Sequence, residues 1–93
     1  MTNNLFYLNA VLTFDSVAKE RERIKRFLAT LNVANVCFSL KDVVQCDSAG
    51  LALLIEISRM CHQAKIDYKI EHIPSIVFAL AEFCGVKTML MQA

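Results

Sequence analysis

The chain has 93 residues, 56% hydrophobic and 20% charged, with a net charge of +1. That length suits a single domain over residues 1–93 with a modest core, and the near-neutral balance leaves no electrostatic footprint for nucleic acid or an acidic membrane surface. The apolar runs at 49–55 and 76–81 fall far short of the ~18 residues of a membrane span, and the start MTNNLFYLNA lacks the basic and apolar regions of a signal peptide, so a cytoplasmic chain without membrane insertion is expected.

In chain order, residues 5–14 (LFYLNAVLTF) read as a strand. Leu8, Ala10, Leu12 and Phe14 alternate with Asn9, Val11 and Thr13, and Asn9-Ala10 is the place where the run could break. Asp15 and Ser16 are good N-caps for the amphipathic helix VAKERERIKRFLATL. Val17, Ile24, Phe27, Leu28 and Leu31 form its apolar stripe. Lys19, Glu20, Arg21, Glu22, Arg23, Lys25 and Arg26 read as a solvated face, with Glu22 and Arg26 able to pair at i,i+4.

Residues 35–40 (NVCFSL) read as the next strand, and KDVVQ leads from it to the stretch at 46–57. A second helix is expected from Ser48 to about Lys65. Residues 67–73 (DYKIEHI) alternate as a strand, with Tyr68, Ile70 and His72 on one side. Pro74 and Ser75 open a third helix, SIVFALAEFC, which Gly85 stops as a left-handed residue, and KTMLMQA follows as an extended tail. Strands alternating with helices predict an α/β fold in which a small, mostly parallel sheet carries packed helices.

The chemistry-bearing residues are few. Cys37, Cys46, Cys61 and Cys84 lie in apolar surroundings with no C-x-x-C spacing, and read as small buried hydrophobes, neither disulfide partners nor zinc ligands. Gly50 and Gly85 are the only glycines, too few for a phosphate cradle. Ser48 is not in a G-x-S-x-G elbow. His62 lies about four helical turns away from it and His72 has no role as its base, so no catalytic residue, metal or cofactor is expected.

The distinctive stretch is CDSAGLALLIEI, residues 46–57. Asp47 or Ser48 can cap the second helix, and Gly50 admits another backbone or a partner at close range. At about 100° per residue, Leu53, Leu54, Ile57, Met60, Cys61 and Ala64 face the sheet, with Glu56 and Gln63 roughly opposite. Ser48, Leu51, Ala52, Ile55, Arg59 and His62 fall on a separate flank, whose mixture of hydroxyl, aliphatic and cationic groups reads as a recognition strip, the alternative being that Leu51 and Ile55 are core margin.

The order of elements, and VVQCDSAGLALL at a strand–helix junction, resemble the STAS domain of anti-sigma factor antagonists and several transporter-associated proteins. Asp47, Ser48, Gly50 and Leu51 match that family's Asp-Ser/Thr-x-Gly-Leu motif, and the resemblance covers nearly the whole chain. It implies a STAS-like fold and a non-enzymatic binding role. In signalling members a partner kinase phosphorylates the motif hydroxyl, a role that would fall on Ser48.

Within the family, SAGLALLIEISRMCHQ followed by IPSIVFALAEFCGV looks most like the small cytoplasmic STAS subunit of Mla-type phospholipid-transport ABC complexes, which maintain outer-membrane lipid asymmetry. That likeness implies an accessory subunit at the inner membrane that binds the transporter ATPase and supports its assembly and activity. The contact would fall on Asp47, Ser48, Ala49, Gly50, Leu51, Ala52, Ile55 and Arg59. The alternative is an anti-sigma factor antagonist whose partner is a serine kinase acting as anti-sigma factor. Two features depart from the pattern: Asn9-Ala10 stands where a glycine is common after the first strand, and Ser48 where the lipid-transport branch often has threonine.

Overall fold

A computed structural model of the chain describes residues 4–30 and 34–88. Its elements are β1 (Leu5–Tyr7), β2 (Val11–Leu12), α1 (Val17–Ala29), β3 (Asn35–Ser39), β4 (Gln45–Cys46), α2 (Ser48–Gln63), β5 (Asp67–Glu71) and α3 (Ser75–Phe83). The expected α/β architecture is present, and every ladder among the described residues is parallel. β3 is the middle strand of β1–β3–β5, with Phe6, Phe38 and Ile70 in register across it. β2 and β4 form a separate pair, Val11 opposite Gln45 and Leu12 opposite Cys46.

Strand alternation decides which side chains enter the core. Phe6, Val36 and Phe38 are buried, while Leu5, Tyr7 and Asn35 stay exposed on the other face. Phe6, Phe27 and Phe38 join β1, α1 and β3 through ring centroids 4.9 to 6.5 Å apart, tilted or edge-on, worth about 1 kcal/mol per pair beyond burial. Leu8, Leu12, Ile24, Leu40, Leu54, Ile57 and Val77 complete the interior.

The N-terminal run does break at Asn9-Ala10. The Asn9 backbone N–H and side-chain amide donate to the two oxygens of Glu20, at 2.8 and 2.9 Å, so the break has a polar partner. Glu20 is only 1% exposed, and its assignment to a solvated face is corrected by this contact. Phe14, expected to alternate inward with Leu12, is 78% exposed because β2 ends at Leu12 and the chain turns before α1. Ser16 stands at the N-cap of α1 without capping it. Its Oγ instead donates to the Val11 carbonyl (2.8 Å) and accepts from the Thr13 N–H (3.0 Å). The ion pair of Glu22 is with Lys25, at 3.7 Å, in place of the expected Arg26.

Further along, β4 occupies Gln45–Cys46, at the strand end that the resemblance had implied just before Asp47. β5 stops at Glu71, before His72 at φ 57°. Both later helices end in Schellman motifs. Ile66 N–H donates to Cys61 O (2.9 Å) with Lys65 left-handed at φ 58°. Val86 N–H donates to Ala81 O (2.8 Å) with Gly85 left-handed at φ 76°, as its position had suggested. Of the expected extended tail, Lys87 and Thr88 are helical and the rest lies outside the described residues, as does Leu31 of the α1 stripe. The cysteines are free. Cys61 is buried and Cys37 and Cys46 are half-buried, but Cys84 is exposed, against expectation, because it is the C-cap of α3.

Candidate docking site at the start of α2

Asp47 is the cap. Its backbone is extended (φ −112°, ψ −170°), and its Oδ1 accepts from the Gly50 N–H at 3.0 Å. The second oxygen, Oδ2, accepts from the Phe14 N–H at 3.0 Å, so one carboxylate binds the head of α2 to the chain leaving β2. Asp47 also donates its own N–H to Leu12 O at 3.1 Å. Hydrogen bonds from Phe14 first and Gly50 second hold the Asp47 carboxyl below the usual carboxylate range.

With Asp47 capping, Ser48 becomes the first helical residue. It is exposed, and its hydroxyl takes no partner among the described residues. Gly50 is buried against β2. A Cβ there would overlap the Leu12 carbonyl oxygen and lie 2.9 Å from Cys46 Sγ, so the close approach this glycine permits is that of the protein's own backbone. Cys46 is half-buried beside it. Burial, and secondly the Asp47 charge, push its thiol up to about 11, which makes it a poor nucleophile at neutral pH.

The flank read along α2 is shorter than expected. Leu51 is 3% exposed and belongs to the core, because α2 packs against both α1 and α3 and its buried arc is wide. Gly50 and Leu51 therefore support the strip without forming its surface. Ala49 and Ile55 are half-buried, while Ala52, Arg59 and His62 are exposed. Met60 is half-buried and Ala64 exposed at the far end of the sheet-facing side. Arg59 pairs with Glu56 at 2.9 Å, and Glu56 also pairs with Arg21 of α1 at 3.2 Å. Arg59 first, and Arg21 after it, hold the Glu56 carboxyl low, so the far end of the strip is an ion-paired link between helices.

Phe14 is the residue that sequence reasoning missed here. Its backbone N–H is the one Asp47 holds and its side chain is 78% exposed, so the turn before α1 and the start of α2, tied together through Asp47, present a large apolar side chain and an unpaired polar group. Such a pairing of an aromatic anchor with a polar contact suits a protein interface.

A wide hollow lies elsewhere, on the outer face of β1–β3–β5. It measures about 880 Å³ and is lined by Tyr7, Ser39, Lys41, Lys69, Glu71 and His72 among others. Cys37 Sγ donates to Glu71 Oε1 there at 3.2 Å. Burial first, and Glu71 after it, push that thiol up to about 11.

This fold, with Asp-Ser-x-Gly-Leu at the head of a central helix, is that of a binding module. The model for the STAS domain matches residues 2–91, and the chain belongs to the STAS domain family. STAS domains are typically non-enzymatic modules that mediate protein–protein interactions. Comparison with curated proteins gives no match. Among the described residues no helix is long and apolar enough to cross a membrane.

Proposed function

We propose that the chain acts as one STAS domain, an MlaB-like accessory subunit that docks on the ATPase of a phospholipid-transport ABC complex. It would bind an MlaF-like ATPase through the start of α2, supporting assembly and activity from the cytoplasmic side of the inner membrane. The observation that carries this reading is that one carboxylate, Asp47, fixes the backbone of both the exposed Phe14 and the helix start that bears the exposed Ser48 hydroxyl. Ala52 and Ile55 continue the same surface along α2.

The test is a binding titration with a purified MlaF-like ATPase beside thermal melting. Ser48→Glu keeps its melting temperature, because the helix N-terminus accommodates negative charge. At a desolvated contact the same charge weakens binding by about a hundredfold. Phe14→Ala removes the anchor and weakens binding by about tenfold. If Ser48→Glu binds as tightly as the wild type, Ser48 is only the first residue of a helix and the reading fails.

The accessibility of the Ser48 hydroxyl also favours a second reading, a signalling switch of the anti-sigma factor antagonist type. Phosphate at this position would face the positive end of the α2 dipole but also the adjacent Asp47 carboxylate. Incubation with an anti-sigma factor kinase and ATP separates the two. Phosphate on Ser48, absent from Ser48→Ala, would favour the switch.

A further inference from the structure

We infer that the buried Glu20 is a positioning residue for the α2 start: by holding the Asn9-Ala10 break it sets β2 against β4, and so fixes where Phe14 and Asp47 stand. The functional half of this inference rests on the docking role proposed above. The structural half does not.

Glu20 carries a full set of donors. Asn9 N–H and Asn9 Nδ2 approach its two oxygens at 2.8 and 2.9 Å, and Arg23 Nη2 and Nε do the same at 2.8 and 2.9 Å. Arg23 is itself clamped. Its Nη2 donates to Tyr7 O at 2.7 Å, and its guanidinium carbon sits 4.3 Å from the centre of the Phe6 ring. The cluster therefore grips the chain on both sides of Leu8, at the Tyr7 carbonyl and at the Asn9 amide.

Glu20 is buried while Arg23 is 39% exposed, and stability alone is a poor reason to bury a carboxylate, since an apolar side chain of similar volume avoids its desolvation. An apolar residue could not accept the Asn9 N–H. The ladder to β3 ends one residue earlier, where Leu8 N–H donates to Ser39 O at 3.1 Å. Without Glu20, the Asn9 amide has no partner in the direction the chain now takes.

The residues beyond the break transmit that direction. Ala10 O accepts from both Val44 N–H (2.8 Å) and Gln45 N–H (3.1 Å). Val11 and Leu12 then pair with Gln45 and Cys46, Leu12 O accepts from Asp47 N–H at 3.1 Å, and Phe14 N–H reaches the Asp47 carboxylate. β2 is only two residues long, so its own ladder holds little and its course is set by its ends. Ser16 and Asp47 hold one end, and Glu20 holds the other.

The experiment is amide hydrogen exchange on wild type, Glu20→Gln and Glu20→Met, with the ATPase titration run in parallel. Glu20→Met should speed exchange at Asn9, Val44, Gln45 and Phe14 by at least about tenfold more than at Phe38 and Leu54, with Glu20→Gln between. Binding of the ATPase should weaken in the same order. Uniform acceleration at all these amides would mean that Glu20 contributes only global stability, and would overturn the inference. So would selective acceleration with unchanged affinity for the ATPase. If Glu20→Met does not fold, the same comparison of amides in Glu20→Gln decides. A wild type that binds no ATPase defeats the docking role instead, while the exchange pattern still judges the hold on β2.

Discussion

The outer face of β1–β3–β5 and the start of α2 differ in a way that volume alone would misrank. The sheet face holds the wide hollow, and some of its polar groups are already engaged: Cys37 donates to Glu71 and Ser39 Oγ accepts from the Lys41 N–H. The start of α2 is not part of that hollow, but it presents an aromatic ring and a free hydroxyl on backbone held from two directions. A deep pocket is what a small molecule needs. A protein partner is recognised by rigidly presented anchors, and by that measure the smaller feature is the better site.

The largest effect should come from the steric lock on that site. Gly50→Ala drives a Cβ into the Leu12 carbonyl, so β2 or α2 must shift, at a cost of about 3 kcal/mol in denaturant unfolding. A loss well under ~1 kcal/mol would show that β2 yields, and the contrast between a locked edge and an open face would collapse.

Thiol labelling sharpens the same contrast. Raising Cys46 from 9.0 to about 11 lowers its thiolate fraction about a hundredfold at pH 8. Exposed Cys84 should therefore label first, and Cys46, Cys37 and buried Cys61 only slowly, in a time course read by mass spectrometry. Rapid labelling at Cys46 would mean that the head of α2 opens in the native state.

The third prediction concerns acid. The folded-state pKa of Asp47 is lowered, so its contribution is fully present above the ordinary carboxylate pKa and is lost as pH falls through the folded value. Asp47→Asn should lower the melting temperature at neutral pH and flatten the acid limb of a melting-versus-pH curve. An unchanged acid limb would show that the bonds to Phe14 and Gly50 contribute nothing.

The smallest effect belongs to the sheet face. Lys69→Ala should change stability by no more than about 0.5 kcal/mol and leave ATPase binding unchanged. A clear loss of binding would move the contact from α2 to the hollow.

Much of this architecture could be read directly from residue order. Alternation, caps and the two glycines mark the helices and the break at Asn9-Ala10, and Asp-Ser-Ala-Gly-Leu marks the head of α2. β4 was implied only by the resemblance, because two residues carry no period of their own. Leu51 was misplaced because a helical wheel drawn toward one sheet knows nothing of a neighbouring helix on its flank. Glu20 did leave a trace: it lies at i+3 from Val17 and i−4 from Ile24, squarely on the apolar stripe. Its charge hid it among the surrounding Lys, Arg and Glu, and only the distant Asn9 explains why a carboxylate is buried there. Phe14 was read as strand because the turn held by Ser16 and Asp47 arises from contacts the local pattern does not contain.

β5 pairs only with β3 among the described residues, which leaves its other edge as a template for a further strand. Asp67, Lys69 and Glu71 alternate along it. If a second copy paired antiparallel about Lys69, lysine would oppose lysine and Asp67 would oppose Glu71 twice in the two-fold pair. Each such like-charge pair is destabilising. The spacing of three charges thus guards this edge against a two-fold β5–β5 dimer, leaving identical copies without a favourable way to zip together there.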